Sequence, residues 1–344
     1  MKIFHDVKRC RICNSQNLVC YLDLGEIPLA NNFPKKNEIK KEKKFPLQIL
    51  LCKDCYFSQL SIVVNPKILF QNYVYISQCA GTFITHCQEL AEELNKEIMR
   101  EKDLIIDIGS NDGSLLKQFE KWGNIMLGID PAKNLARQSN KEGIKTIPKF
   151  WSKNLAEKLL KKYGKAKVIT AFNVFAHVDD IHSFLDGVKT ILKQDGYLII
   201  QSPHTLPLIN NIEFDTVYHE HLSYLTIKPL IRLMAEHGFR IAKIKELDIH
   251  GGSIRIYVEF DNQNTSDGSV EKLIEKETKN GLYTLERYFE FQKQVGEVKQ
   301  NLTKELSKPE RFLISAHLTP SSEYRISIPV CFLSSLISIT YLES

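Results

Sequence analysis

Short, almost continuously apolar runs alternate with amphipathic segments of helical periodicity from residue 103 onward. The run LIIDIG (104–109) predicts a buried strand, and the segment DGSLLKQFEKW that follows predicts a helix capped at Asn111 or Asp112. Strands that alternate with helices form a parallel sheet with helices on both faces. The same pattern predicts three further strands, IMLGID (125–130), KVITAFNVF (167–175) and GYLIIQSP (196–203), with a helix, IHSFLDGVKTILKQ, between the last two.

The pattern after this alternation predicts how the sheet ends. A helical segment, IKPLIRLMAEHG (227–238), precedes two strand patterns, FRIAKIKELD (239–248) and GGSIRIYVEF (251–260), which form a predicted hairpin. A dehydrogenase sheet continues with further parallel units, whereas the methyltransferase version of the fold adds a final hairpin. The predicted fold class is therefore α/β, with a Rossmann-like, mostly parallel sheet of the class I methyltransferase type, which has seven strands.

Composition and charge narrow the function classes. The chain has 344 residues, 43% of them hydrophobic and 25% charged, as in globular proteins of two or three domains. The formal charge of +5 comes from lysines spread along the chain, and the densest run, KKNEIKKEKK (35–44), also holds glutamates, so we expect no nucleic-acid partner. The N-terminus lacks the apolar core of a signal peptide, and no run reaches the ~20 apolar residues of a bilayer span. These features predict a cytoplasmic protein without a membrane partner.

Four of the eight cysteines form two C-x2-C pairs: CRIC, with Cys10 and Cys13, and CKDC, with Cys52 and Cys55. In a reducing compartment such thiols are more often ligands than disulfides, and two pairs supply the four thiolates of a closed tetrahedral zinc site. The 38 residues between the pairs exceed the usual spacing, which predicts an inserted hairpin or loop. Because four thiolates leave no position for water, the predicted zinc is structural, in a small N-terminal domain.

The turn after the first predicted strand, DIGSNDG, has the pattern D-x-G-x-x-x-G, whose glycines let a ligand approach the backbone. Asp107 and Asp112 would repel the pyrophosphate of a dinucleotide, and Asp130 is placed to accept hydrogen bonds from ribose hydroxyls. An acidic turn favours S-adenosylmethionine, which is cationic and has no phosphate, although any strand-to-helix turn can need glycine for its geometry. The predicted cofactor-binding residues are Asp107, Gly109, Ser110, Asn111, Asp112, Gly113, Asp130 and Asn173.

The stretch YHEHLSY (218–224) concentrates histidine, glutamate and tyrosine on the rim of the sheet where ligands bind. Three interpretations fit it. A histidine, with its ordinary pKa of ~6.5, suits proton transfer; His219, Glu220 and His221 are candidate metal ligands; and a solvated polar loop is the third. In an extended segment His219 and His221 would share one face, and Tyr218 and Glu220 the other, unless a turn breaks the alternation.

The chain resembles the nucleotide-sugar C-methyltransferases that act on 4-keto deoxysugars. The resemblance implies a zinc-binding N-terminal domain, a central domain that binds S-adenosylmethionine, and a C-terminal domain that helps hold the nucleotide sugar. It also implies the reaction, in which the carbon beside the ketone loses a proton and is then methylated. The matching pieces cover residues 10 to about 260 and are, in order, CRIC, LDLGEIPLANNF, LCKDC, YVYIS, IDIGSNDGS, NVFAHVDD, YHEHLSY and HGGSIRIYV.

The resemblance also implies roles for individual residues. Tyr218, Glu220 and His221 match the family's catalytic Tyr-x-Glu-His group, with His221 as the base, Tyr218 as donor or alternative base, and Glu220 orienting or binding the sugar. His177 matches a pocket histidine, although a capping or core role also fits it. Tyr75 matches a pocket tyrosine, for which Tyr73 is an equal candidate.

The predicted domains are a zinc-binding domain over 1–70, a methyltransferase domain over 71–265, and a helical connection with a truncated C-terminal segment over 266–344. After about residue 308 the chain departs from the family pattern, which predicts a truncation or frameshift. The expected partner is a nucleotide sugar, and the chain is expected to be a monomer or homodimer. The competing functions are an oxygen or nitrogen methyltransferase, and a cofactor-binding protein without activity.

Overall fold

The computed structural model describes residues 3–35, 37, 41–71, 73, 81–249, 251–262 and 266–307. Two predictions fall outside these ranges, the pocket role of Tyr75 and the changed pattern after about residue 308. In the part of the chain that is described, no helix combines the length and the apolar character needed to cross a membrane.

The N-terminal part of the chain is built on small antiparallel sheets. Its elements are β1 (Phe4–Asp6), β2 (Leu18–Pro28), β3 (Lys44–Cys52), β4 (Ser58–Leu60), β5 (Ile62–Val64) and α1 (Pro66–Phe70). β2 and β3 form a hairpin between the two cysteine pairs, which confirms the predicted insertion, and β1 pairs with β5. The elements β1 to α1 are called the cysteine module. The hairpin brings cysteines that are far apart in the sequence to the same end of this module.

Helices and strands then alternate, as the hydrophobic pattern predicts. The elements are α2 (Gly81–Glu97), β6 (Leu104–Ile108), α3 (Ser114–Lys117), β7 (Ile125–Ile129), α4 (Lys133–Lys141), β8 (Thr146–Ile147), α5 (Lys153–Tyr163), β9 (Ala166–Phe172), α6 (Ile181–Ile191) and β10 (Leu192–Pro203). Strands β6 to β10 pair only in parallel with one another. All of β6 is buried, because helices cover both faces of a parallel sheet.

The remaining elements complete this sheet and return to the N-terminal one. They are α7 (Thr205–Asn210), β11 (Ser223–Tyr224), α8 (Ile227–Glu236), β12 (Phe239–Leu247), β13 (Ser253–Phe260), α9 (Ser269–Lys279) and α10 (Leu285–Leu306). β13 lies antiparallel between β10 and β12, so the seven-stranded order is β12-β13-β10-β9-β6-β7-β8. This is the class I methyltransferase sheet, and the predicted fold class is confirmed. β11 instead joins the N-terminal sheet, in the order β11-β4-β3-β2.

The segment after β6 differs from its predicted form. The prediction of one helix capped at Asn111 or Asp112 is wrong, because α3 begins after Gly113 and a separate 3-10 turn covers Glu120–Trp122. Gly113 has φ +83°, a left-handed backbone that a helix interior excludes. Asp112 accepts a hydrogen bond from the Ser114 N–H, so its carboxylate supports the start of α3 from outside the helix.

The hydrophobic core is continuous between the cysteine module and the sheet. Cys10, Ile12 and Phe57 belong to the same buried cluster as β6, β9 and α8. Tyr21, on β2, packs in a second cluster with Tyr288 of α10. The module is thus packed against the methyltransferase sheet in the first cluster and against α10 in the second, and the domain boundaries at residues 70 and 265 stay a prediction.

Candidate active site and zinc site

The two cysteine pairs converge at the base of the β2–β3 hairpin. The Sγ atoms of Cys10 and Cys55 lie 3.6 Å apart, and those of Cys13 and Cys52 lie 3.5 Å apart. All four sulfur atoms lie within 4.8 Å of one another. The structure therefore brings together all four residues that the spacing predicts as metal ligands.

These distances fit zinc and do not fit disulfides. A disulfide holds its sulfur atoms ~2.0 Å apart, whereas thiolates that bind zinc at ~2.3 Å occupy the corners of a tetrahedron about 3.8 Å apart. The hydrogen bond between Cys10 and Cys55 lowers the pKa of the Cys10 thiol to about 5 and raises the pKa of the Cys55 thiol, so it favours one thiolate of this pair. The residue after each pair, Asn14 or Tyr56, has a positive φ that turns the chain back around the site.

The turn between β6 and α3 closely approaches the segment that follows β9. Gly109 has φ +73°, and a Cβ atom at this position would lie 2.1 Å from Cγ2 of Val174. Asn111 also has a positive φ, of 51°, in a region that asparagine tolerates better than most residues. The turn therefore requires glycine at residue 109 for two reasons, its backbone conformation and the space available.

Two buried carboxylates flank this turn. Asp107, on β6, accepts a hydrogen bond from Thr170 Oγ1 at 2.6 Å, and burial raises its pKa to about 7. Asp130 follows β7 and accepts one backbone N–H at each oxygen, from Asn111 and from Ala132, both at 2.8 Å. Burial raises the pKa of Asp130 as well. Each carboxylate oxygen has two lone pairs, so Asp130 keeps one on each oxygen for a pair of hydroxyls.

The turn opens on a cavity of about 690 Å³ at the carboxyl ends of the parallel strands, a typical size for a small-molecule site. Asp112 and Gly113 are outside its described wall; Asp112 hydrogen-bonds Ser114 instead, so these two residues shape the turn. The predicted cofactor residues on the wall are Asp107, Gly109, Ser110, Asn111, Asp130 and Asn173.

Two polar atoms near this wall are buried without a hydrogen-bond partner among the described residues, Ser110 Oγ and Asn173 Oδ1. An unpaired buried polar atom costs about 1–3 kcal/mol, so a ligand that pairs it is stabilised. With Asp107 and Asp130, these atoms fit a ligand with positive charge and hydroxyls, as S-adenosylmethionine has. The predicted cofactors, this molecule and structural zinc, fit the two sites.

The stretch 218–224 begins with a turn. The His221 N–H donates to the Tyr218 carbonyl at 3.0 Å, and Tyr218, Glu220 and His221 all line the cavity. The phenol oxygen of Tyr218 lies 2.8 Å from Nε2 of His221, and Nδ1 of His221 lies 3.0 Å from the Thr216 carbonyl oxygen. The alternation of an extended segment is therefore broken, and phenol, imidazole and carbonyl form one hydrogen-bonded chain.

His177 lies in a 3-10 turn after β9, opposite the hydrogen-bonded groups of Tyr218, His221 and Thr216. Its ring is 5.1 Å from the His221 ring and stacks on Phe70 at 5.5 Å. Burial and the neighbouring His221 hold the pKa of His177 well below its usual value. Its Nε2 has no hydrogen-bond partner in the described ranges and the residue lines the cavity, so His177 presents a neutral imidazole to a ligand.

Glu220 and His219 point in different directions. Glu220 accepts hydrogen bonds from Asn31 at 2.6 Å and from the Tyr73 hydroxyl at 2.8 Å, and burial raises its pKa. His219 instead donates from Nε2 to the Pro46 carbonyl, inside the cysteine module. The metal interpretation of this stretch is therefore not supported, because the four cysteines are the only such ligand cluster in the described part of the chain.

Two contributors to the site, Asn31 and Thr216, were not singled out from the sequence, and Tyr73 was named there only as the alternative to Tyr75. Asn31 lies in LDLGEIPLANNF, one of the matching pieces, so a signal for it existed. Tyr73 lies on the described cavity wall. Thr216 contributes its backbone carbonyl, which no pattern of side chains reveals.

Three family models match the chain in order. They are a domain described as zinc binding at residues 10–70, a methyltransferase domain at 83–244 and a C-methyltransferase C-terminal domain at 248–311. The C-methyltransferase NovU of Streptomyces niveus is 34% identical over 257 residues, which are 74% of this chain and 61% of that protein. A ubiquinone biosynthesis O-methyltransferase of Glaesserella parasuis is 31% identical over 106 residues, 28% of this chain and 44% of that protein.

Among solved structures, magnesium protoporphyrin IX methyltransferase from Synechocystis aligns with 51% of this chain and 82% of its own, at 14% identity and a TM-score of 0.41. The chain spans less than two thirds of the length of the curated relatives it matches. The three matches follow the chain order of the zinc site, the strands β6 to β10, and β13 with the helices α9 and α10. The chain therefore combines, in this order, domains that match the zinc-binding, methyltransferase and C-methyltransferase C-terminal family models.

Proposed function

We propose that the chain is an S-adenosylmethionine-dependent C-methyltransferase that methylates the carbon beside the ketone of a nucleotide-linked keto-deoxysugar. The observation that carries this proposal is the hydrogen-bonded chain from Tyr218 through His221 to Thr216 on the cavity wall. The identity with a C-methyltransferase of Streptomyces niveus supports carbon as the acceptor. The substrate class rests on the sequence resemblance, and a cytoplasmic location agrees with the four converging thiols.

A carbon acceptor makes demands that an oxygen or nitrogen acceptor does not. A C–H group has no lone pair, so it becomes a nucleophile only when a base removes its proton, whereas a hydroxyl or amine can react by positioning alone. The resulting enolate also needs a hydrogen-bond donor aimed at its oxygen. The Tyr218 and His221 pair supports the first requirement, and the neutral His177 supports the second.

The hydrogen bonds of His221 define a direction for the proton. The Thr216 carbonyl can only accept, so Nδ1 carries the ring proton and Nε2 is the acceptor. Tyr218 takes the proton from the substrate carbon while its own phenolic proton passes to Nε2. His221 is thus the final proton acceptor and becomes an imidazolium, whereas Tyr218, predicted as donor or alternative base, contacts the substrate carbon. The Nε2 of His177, when it carries the ring proton, donates to the enolate oxygen.

Other residues on the cavity wall would bind the cofactor and the sugar. S-adenosylmethionine, when bound, supplies an electrophilic methyl group. Asp107, in its ionised form, would balance the positive charge of that cofactor, and Asp130 would accept from its ribose hydroxyls through the lone pairs left on each oxygen. Glu220, held by Asn31 and Tyr73, would orient the sugar.

Solvent exchange tests the mechanism directly. With S-adenosylhomocysteine in place of the methyl donor, the native protein should exchange the C–H beside the ketone of a nucleoside-diphosphate-linked 4-keto-deoxysugar with deuterated water. His221→Ala should abolish this exchange. His219→Gln is the matched control, because His219 lies in the same turn but points to Pro46, and glutamine keeps a donor there. Methyl transfer to the sugar without any such exchange would contradict the proposal.

The two alternative functions, a methyltransferase for oxygen or nitrogen and an inactive cofactor-binding protein, would give different experimental results. An oxygen or nitrogen methyltransferase would transfer methyl groups and leave the C–H undisturbed, and mass spectrometry of the product would locate the methyl group on a heteroatom. A cofactor-binding chain without activity would bind S-adenosylmethionine in a calorimeter but show no heat with the nucleotide sugar.

A further inference from the structure

One buried side chain joins the zinc site to the candidate active site. Arg11 lies inside the first cysteine pair, between Cys10 and Cys13, and its side chain is only 4% exposed. Its guanidinium points toward the cavity wall and not to solvent. Nη1 donates to the Leu222 carbonyl at 3.3 Å, and Nη2 donates to Asp179 Oδ1 at 3.5 Å.

These two acceptors belong to the two segments that carry the candidate histidines. Leu222 directly follows His221, and Asp179 lies just beyond His177 in the loop after β9. The two imidazole rings are 5.1 Å apart. A guanidinium holds its N–H groups in a rigid plane and in different directions, so one side chain can hold both segments at a set separation.

The backbone of Arg11 is itself held in place. Its N–H donates to Gln59 Oε1 at 2.8 Å, and its carbonyl accepts from His182 Nε2 at 3.0 Å. Gln59 lies on β4, which pairs with β11 immediately after Leu222, and the Leu60 N–H donates to the same Leu222 carbonyl at 3.0 Å. The cysteine pair and β4 therefore form one rigid support from which the guanidinium extends.

We propose that Arg11 is a positioning residue for proton transfer, which sets the separation of His177 and His221 from a support made rigid by the zinc site. This rests on the proposed function, because it assigns the two histidines to the reaction. Removing one partner of a buried ion pair is strongly destabilising when it leaves the other charge buried and unpaired. Asp179 has a side chain that is 45% exposed, so water solvates it when the guanidinium is removed. Arg11→Met should therefore fold.

The test compares three variants of the full, zinc-loaded chain. Arg11→Met removes both contacts, and Arg11→Lys keeps the charge but replaces the rigid guanidinium plane with one ammonium on a flexible stem. Arg9→Met is the matched control, because Arg9 is exposed on the same turn and its Nη1 donates only within that turn, to the Asn14 carbonyl. The measurements are zinc content, the Kd of S-adenosylmethionine, kcat and KM, and the deuterium exchange of the sugar C–H and of the backbone amides at 216–224.

Arg11→Met should lower kcat and sugar C–H exchange by about 10- to 100-fold, the effect of displacing a reacting group by ~1 Å. Arg11→Lys should be intermediate, and Arg9→Met should equal the native protein. Zinc content and cofactor Kd should be unchanged in all three, and the amides at 216–224 should exchange faster in Arg11→Met alone.

Three results would overturn the positioning role. They are a native kcat in Arg11→Met, an equal loss in Arg9→Met, and loss of zinc from Arg11→Met, which would make Arg11 a residue of metal retention. If Arg11→Met fails to fold, a native kcat in Arg11→Lys overturns it. A native protein that shows no methyl transfer and no C–H exchange would refute the proposed function instead, and the backbone amides would still show whether Arg11 holds the turn.

Discussion

The Tyr218 hydroxyl and Nε2 of His221 lie 2.8 Å apart, although both residues belong to one tight turn. The rings also pack against each other, with their centroids 4.1 Å apart. Since Nδ1 of His221 is held by the Thr216 carbonyl, the phenol is the side of this pair that can face a substrate. A base that works through a tyrosine follows from this geometry, and it leads to the first prediction.

Tyr218→Phe removes the hydroxyl and keeps the ring. We expect methyl transfer and sugar C–H exchange to fall by about 10²- to 10⁴-fold, the usual contribution of general acid–base catalysis. The Kd of S-adenosylmethionine should not change, which calorimetry measures. Tyr163→Phe serves as control, because Tyr163 lies on α5, outside the described cavity wall. Activity of Tyr218→Phe within about threefold of the native rate would exclude the phenol from the proton path.

Asp107 should make cofactor binding depend on pH. Burial raises its pKa to about 7, and a cationic ligand favours the ionised form. The affinity for S-adenosylmethionine should therefore rise between about pH 6 and 7.5, as the carboxyl loses its proton, and then level off. Asp107→Asn should bind more weakly and without this rise. Calorimetry across this range measures both.

Thr170 provides an independent check of the same group. Its hydroxyl donates to Asp107 and lowers the pKa of that carboxyl against the effect of burial. Thr170→Val should move the midpoint of the affinity rise to higher pH while leaving its amplitude. An affinity that falls as pH rises, or a rise that persists in Asp107→Asn, would show that another group controls binding.

Zinc should be lost when one ligand is replaced. Native protein should contain about one zinc per chain by metal analysis, and Cys52→Ser should contain little. The free energy of unfolding should fall by about 4 kcal/mol or more, because loss of a structural metal is among the most destabilising changes. Cys20→Ser is the control, since Cys20 is an exposed cysteine outside the cluster. Full zinc content in Cys52→Ser would refute the four-cysteine site.

Gly109 and Gly143 form a matched pair for testing the cofactor turn. Both have positive φ, of 73° and 87°, so alanine should cost about 1–2 kcal/mol in backbone strain at either position. Only at Gly109 would the new Cβ meet a neighbour, Val174, which should add about 1–3 kcal/mol. Denaturant unfolding and cofactor affinity should both be more impaired in Gly109→Ala. Equal losses in the two variants would mean that the close approach to Val174 does not matter.

The predicted and observed elements agree where a pattern is local. The two C-x2-C pairs, the alternation of apolar runs and the final hairpin are each read within a few residues, and all are present in the structure. The helix after β6 was harder to predict, because the left-handed Gly113 displaced its start beyond both candidate caps. A pattern of helical periodicity does not reveal where the backbone must turn.

The partners of Glu220 depend on the fold alone. Asn31 and Tyr73 are 189 and 147 positions away in the chain, and they reach Glu220 because β11 pairs with β4. The same pairing places His219 inside the cysteine module and His221 on the cavity wall, although the two residues are nearly adjacent. A turn between Tyr218 and His221 decided this division, and the alternation rule for extended chains did not apply.

The sequence by itself determined the class of sheet, the four thiols of the metal site and the acidic turn for a cationic cofactor, because local spacing and periodicity encode these features. Only the tertiary structure decided which residues of the histidine-rich stretch face the cavity, and that Arg11 connects the cysteine pair to both histidine segments. These relationships depend on contacts between residues far apart in the chain, and such contacts follow from how the sheets pack.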